Sequence, residues 1–264
     1  VRNTIIAALL LIAGAQPLRT SPQTQPPSAQ QAPAAAAIAP APAIVVLDPA
    51  HGGSDTGARG PSGVVESEIV LDLARVIRVA LEAQGFRVIL TREGNQGPSF
   101  DDRSAMINGL GSAVFISVHV SSTGPVGTAR VYSYQFPAAA PPDAALETLQ
   151  RRLFEPLPAP RHPGLIEWDR AQQRYVDRSR HLAELAQIQI AQRFKGSPDS
   201  PIAAGVRQLR TIAAPAIAIE VSSVAVPDGQ KLAQMGQPLA EAVARAVVDY
   251  RSASSSAAAL EGGR

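Results

Sequence analysis

Short apolar runs recur along this chain, separated by longer stretches of helical period, and that alternation constrains its fold more than any other feature. "AIVVLD" (43–48), "FRVILTR" (86–92), "SAVFISVH" (112–119) and "AIAIEV" (216–221) read as buried strands. "ARVYSYQF" (129–136) alternates as a half-buried strand does, and "VRQLRT" (206–211) fits a short strand. The intervening segments 66–85, 101–109, 174–194 and 239–251 read as helices, the first closed by Gly85. Strands that alternate with helices predict one α/β domain. It would have a mostly parallel twisted sheet of about six strands, with helices on both faces. In such sheets, sites gather beyond the carboxyl ends of the strands.

Composition narrows the function classes. The 264 residues carry 24 Lys and Arg against 22 Asp and Glu, and only Lys195 and Lys231 are lysines. No basic tract with interleaved aromatics stands out, which argues against nucleic acid as a partner. The absence of cysteine removes disulfides, thiolate zinc sites and a cysteine nucleophile. At the N-terminus Arg2 precedes the apolar run "TIIAALLLIAGA" (4–15), which ends on a small-x-small pattern. The run is too short to span a bilayer but fits a signal-peptide core. Residues 1–15 are therefore expected to be a cleaved signal. The mature protein would then have no transmembrane span and a periplasmic or extracellular location. Residues 16–42, rich in Pro, Ala and Gln, read as an extended linker. The domain is expected over 43–251, with a disordered tail at 252–264. Segment 137–173 is long for a connection and is expected to be an inserted loop or lid, in which "DAALETLQRRLF" has the pattern of a helix.

Four polar residues fall at or near strand ends. His51 follows the first strand inside "HGGSDTGARG" (51–60), a loop with four glycines in nine residues. His119 closes "AVFISVH", Glu66 opens the first long helix, and Glu220 ends "AIAIEV". Two imidazoles and a carboxylate suit a hydrolytic zinc site, and a further carboxylate can move the proton of an attacking water. Each residue also has a plainer reading. His51 fits a turn residue, His119 a hydrogen-bonded rim histidine, and Glu66 a helix N-terminal carboxylate. Glu220 is hardest to explain away, because an ionisable group in an apolar strand is costly unless paired or functional. His162 and His181 read as solvated surface.

In order along the chain, "LDPAHGGSDTGA" (47–58), "SGVVESEIVL" (62–71), "VILTR" (88–92), "DDRSAMIN" (101–108), "AVFISVHVSS" (113–122) and "APAIAIEVSSV" (214–224) form a specific set. The set resembles the zinc-dependent N-acetylmuramoyl-L-alanine amidases of the type 3 family, which cut peptide from the glycan of the cell wall. The resemblance runs from about Ile44 to Tyr250. It implies His51, Glu66 and His119 as zinc ligands and Glu220 as the catalytic acid/base. The implied substrate is peptidoglycan, cut between N-acetylmuramic acid and L-alanine by zinc-activated water. Some family members carry an inserted helix over the zinc, so a protein activator acting on 137–173 is also implied. Asp48 is expected to fix the loop or orient His51, and Arg92 and Arg103 to pair carboxylates in the loop network.

The chain departs from the family pattern at Ala50, at Val120–Ser122 and at Val221–Ser223. Ala50 requires a backbone that avoids the left-handed region, and the other two departures are expected to alter the substrate rim. Two rival readings remain from the sequence. One is a catalytically weak or inactive module that binds cell wall. The other is a zinc peptidase, for which no surplus ligand is evident.

Overall fold

The computed structural model describes residues 43–137, 167–225 and 229–262. The expected signal and linker lie outside these residues, as does His162 and most of the 137–173 segment. Six strands form one sheet: β1 (Ile44–Pro49), β2 (Arg87–Leu90), β3 (Ala113–Ser121), β4 (Thr128–Tyr134), β5 (Ile202–Ala204) and β6 (Ala216–Ser222). Their order is β2-β1-β3-β6-β4-β5. The first four of that order run parallel, β4 pairs antiparallel to β6, and β5 runs parallel to β4. The helices are α1 (Glu66–Glu82), α2 (Phe100–Asn108), α3 (Val176–Arg193), α4 (Arg207–Arg210), α5 (Gln230–Gln234) and α6 (Gly236–Gly262). A 3₁₀ segment (Trp168–Tyr175) precedes α3. No described helix is long and apolar enough to cross a membrane.

Strand parity divides the core in two. Val45 and Leu47 of β1, Ile116 and Val118 of β3, and Ile217 and Ile219 of β6 pack against α1, α3 and α6. The alternate residues Val46, Phe115, Ala216 and Ala218 face the other way, where Ile107 of α2, Leu209 of α4 and Ile212 cover them. Successive strand side chains alternate faces, so the second, smaller face also receives Asp48, Ser117, His119 and Glu220. At the carboxyl edge of the parallel strands its cover thins, and His119 and Glu220 emerge there while Asp48 and Ser117 stay buried.

Two expectations change. Residues 206–211 form the turn of helix α4 instead of a strand, and the strand in that region is β5 at Ile202–Ala204. The spacing of three between Val206, Leu209 and Ile212 explains the difference: the Leu209 N–H donates to the Val206 carbonyl and the Ile212 N–H to the Leu209 carbonyl, with Leu209 and Ile212 fully buried. The closing helix does not stop near Arg251 but continues to Gly262, through residues expected to be disordered. From Ser252 to Glu261 that tail holds no Gly or Pro, and its alanines favour the helix.

Candidate metal centre

Beyond the end of β1 the chain makes a turn that few sequences tolerate. His51 has φ 61°, a left-handed value uncommon for any residue with a Cβ, and Gly52 follows at 120°. A Cβ on Gly52 would lie 2.1 Å from the Gln96 carbonyl oxygen, so glycine is required there. Ala50 has an ordinary negative φ, as its side chain demands.

Two buried arginines hold this turn by its carbonyls. Arg92 donates to the carbonyls of Pro49 (2.9 Å), Ala50 (2.8 Å), Ser67 (2.7 Å) and Gly94 (2.8 Å). Arg103 donates to those of Pro49 (3.1 Å), His51 (2.8 Å) and Pro98 (3.0 Å), and forms an ion pair with Asp48. Asp48, 1% exposed, also accepts from Thr91 Oγ1 (2.6 Å) and Ser117 Oγ (2.8 Å). Asp48 thus fixes the loop through Arg103 and does not touch the His51 ring. Arg103 pairs a carboxylate as expected, whereas Arg92, among the described residues, bonds to backbone oxygens.

The three ring and carboxylate groups converge. Donor atoms of His51, Glu66 and His119 all lie within 4.8 Å of one another. Glu66 Oε2 is 3.2 Å from His51 Nε2, and Glu66 Oε1 is 3.2 Å from His119 Nδ1. The carboxylate is further pinned by the backbone N–H of Ala58 (2.8 Å) and of Val120 (2.9 Å). Each histidine presents one nitrogen to Glu66 and has the other held by a side chain. His51 Nδ1 lies 2.8 Å from Asp55 Oδ2, and His119 Nε2 lies 2.6 Å from Gln208 Nε2. An acceptor on the outer nitrogen, as Asp55 is for His51, fixes ring orientation as at metal-binding histidines, while the Gln208 amide N–H donates to His119 Nε2 and holds that ring in place. Gly57 packs under the group: a Cβ there would meet Glu66 Oε2 at 2.5 Å and His51 Cδ2 at 2.6 Å.

The electrostatics follow from this crowding. The hydrogen bond to Glu66, opposed by burial and aided by Asp55, raises His51 to about 9. Burial alone would push Glu66 up, but its bonds to His119, His51, Ala58 and Val120 together hold it well below the usual carboxylate range. His51 holds Asp55 below its ordinary value. Two imidazoles and an ionised carboxylate with these restraints fit a zinc ion.

Glu220 lies directly across from His119 in the β3–β6 register. Arg130 of β4 faces it from the other side, with Nε 3.7 Å from Glu220 Oε2. Tyr132 donates its hydroxyl to the same oxygen at 2.7 Å. His51, Glu66, His119, Glu220, Tyr132 and Gln208 all line one cleft of about 470 Å³, whose rim includes Ser121, Ser122 and Thr123.

A family model described as N-acetylmuramoyl-L-alanine amidase matches residues 45–249. The chain belongs to that amidase family. Among its relatives, the sporulation-specific amidase of Bacillus subtilis is 35% identical over 106 residues, which are 39% of this chain and 40% of that protein. The amidase AmiA of Escherichia coli is 41% identical over 75 residues, 28% of this chain and 26% of that one. The chain therefore spans well under half the length of these relatives. Similar folds are those of the amidase AmiC2 of Nostoc punctiforme (TM-score 0.57, 21% identity, 80% of this chain and 97% of that one) and of CwlD from Clostridioides difficile. CwlD, solved in complex with the GerS lipoprotein, has a TM-score of 0.59 at 17% identity and covers 80% of this chain and 99% of that one. At these identities the structures speak for the fold alone.

The amidase triad foreseen in the sequence is thus brought together, and Glu220 stands in the same cleft. Of the two departures expected at the rim, the one after His119 lies there. The other does not, because Ser222 and Ser223 are fully buried. β6 sits between β3 and β4, so Val221 and Ser222 remain inside the sheet. His181 is half exposed on α3, as expected. Sequence reasoning missed Asp55, Arg130, Tyr132 and Gln208 as site residues. An acid four residues after His51 in the glycine loop was a readable signal for Asp55. The other three come from β4 and α4, and only their packing places them.

Proposed function

We propose that this chain is a zinc-dependent amidase that hydrolyses the peptidoglycan amide between N-acetylmuramic acid and L-alanine. The observation that carries the proposal is the His51–Glu66–His119 triad, which shares one open cleft with Glu220. Zinc, when bound, supplies Lewis acidity for the amide carbonyl and lowers the pKa of water. Glu220, one strand over from His119, accepts the proton of the attacking water and returns it to the departing L-alanine nitrogen. Asp55 and Gln208 keep the two imidazoles turned toward Glu66. The hydroxyls of Ser121, Ser122 and Thr123 offer hydrogen bonds to a polar substrate at the rim.

Arg130 is the kind of partner a purely structural Glu220 would have, and it keeps a wall-binding module as the second reading. Glu220→Gln separates the two. General acid–base roles contribute roughly a hundred- to ten-thousand-fold in rate. The variant should fold, keep zinc and bind sacculi, yet release peptide at least about a hundredfold more slowly. A zinc-loaded wild-type protein that releases nothing from sacculi or soluble muropeptides would support the binding module instead.

The proposal extends to an envelope location and to a protein activator acting on the 137–173 segment. The signal-like run at 4–15 supports the first and the length of that segment the second. Cell fractionation tests the first. A Gly-Ser bridge in place of residues 138–160 tests the second, and should raise basal activity if the segment restrains the site.

A further inference from the structure

The neighbourhood of Glu220 contains more than a general base needs for burial. Arg130 and Tyr132 are two residues apart on β4, so both project to the face that bears Glu220. The antiparallel register sets Arg130 opposite Glu220 and Tyr132 opposite Ala218, which brackets the carboxylate from the β4 side. Among the described residues, both of its partners converge on one atom, Oε2: the Tyr132 hydroxyl at 2.7 Å and Arg130 Nε at 3.7 Å. The longer distance exceeds a hydrogen bond, so Arg130 contributes charge to Glu220 but no hydrogen bond. Its Nε is buried without a hydrogen-bond partner, while Nη2 donates to Ser222 Oγ at 3.3 Å. Tyr132 lines the cleft and Arg130 does not. Burial first, and then the Glu220 bond, raise Tyr132 above its ordinary value, so its hydroxyl stays a donor.

We infer that Tyr132 and Arg130 are positioning residues: they hold the Glu220 carboxylate by Oε2 and so turn Oε1 toward the triad. The inference rests on the proposed role of Glu220. A glutamate has three rotatable bonds, and a proton carrier is effective only within hydrogen-bond reach of the atoms it serves. Two partners on one oxygen, each fixed on a sheet strand, remove that freedom. The free oxygen then faces the cleft in which an amide and a water would lie.

Tyr132→Phe keeps the ring and removes the donor. Misplacement of a reacting group by about 1 Å costs on the order of a hundredfold. With a soluble muramoyl-peptide, kcat should therefore fall roughly ten- to a hundredfold while KM stays within about twofold. Zinc content and thermal midpoint should not change. In a Glu220→Gln background the same Tyr132→Phe change should cost less than about threefold, because residues that act as a unit are not additive. Arg130→Met should show the same pattern, and Arg130→Lys, which keeps the charge, should recover most of the loss. Wild-type kcat in Tyr132→Phe would overturn the inference. So would a rise in KM alone, or an undiminished loss in the Glu220→Gln background, which would mark a direct substrate contact. Wild-type turnover in Glu220→Gln itself would instead remove the reading beneath it.

Discussion

Asp55→Ala probes the metal centre from outside. Asp55 is exposed, with 68% of its side chain in solvent, so its loss leaves the core intact. Its two bonds are to His51 Nδ1 at 2.8 Å and to the Gly57 N–H at 3.1 Å, and water replaces the second. The first fixes which His51 nitrogen faces Glu66. Loss of such a partner weakens metal binding by roughly 10–100-fold, or about 1.4–2.8 kcal/mol. Asp55 also acts in the opposite direction. With Glu66 it raises His51 to about 9, and zinc must displace that proton. Below pH 9, zinc affinity of the wild type should therefore fall by about tenfold per pH unit from this group. Asp55→Ala relaxes part of that competition, so the gap between variant and wild type should narrow at pH 6.5 and be widest near pH 9. Asp55→Asn retains an acceptor oxygen and should stay closer to wild type. A chromophoric chelator competing for zinc across this pH range provides the measurement. Equal affinity of Asp55→Ala and wild type at pH 9 would refute the argument that Asp55 orients His51.

Three further outcomes follow from the same geometry. Gly57→Ala, at φ 64° and with its Cβ 2.5 Å from Glu66 Oε2, should lower zinc affinity at least about tenfold, and an unchanged zinc titration would count against the packing argument. Arg103→Met strands the buried Asp48 carboxylate and should destabilise the zinc-loaded protein by about 3–5 kcal/mol in urea; a loss below about 1 kcal/mol would contradict the role given to this pair. In the metal-free protein His51, raised from 6.5 to about 9, stabilises most below pH 6.5 and loses that contribution as pH rises through 9. Glu66, depressed from 4.5, stabilises above that value and loses its share as pH falls below it. The thermal midpoint without zinc should therefore be highest between about pH 4.5 and 6.5, and a midpoint that climbs from pH 7 to 9 would oppose both assignments.

The sequence by itself determined the strands and helices whose signal is local: the apolar runs of β1, β3 and β6, and the helices α1 and α3 with their helical period. His51, Glu66, His119 and Glu220 stood out by position, at the glycine loop, at a helix start and at apolar strand ends, but it was the ordered motif set and its family resemblance that implied their roles. The sequence misjudged 206–211, where a spacing of three in a short segment fits a strand or a turn until Leu209 and Ile212 find their core. It also misjudged the tail, where alanine content favours helix as readily as composition suggests disorder. Tertiary structure alone decided what surrounds each functional group. The strand order puts β4 antiparallel beside β6, and only that register brings Arg130 and Tyr132 to Glu220, 90 and 88 positions away in the chain. The turn of α4 likewise carries Gln208 to His119, and the place of β6 between two strands keeps Ser222 from the rim. Periodicity reports which face a residue takes, but it holds no information about which strand will lie alongside, because that choice is made by the packing of the whole sheet.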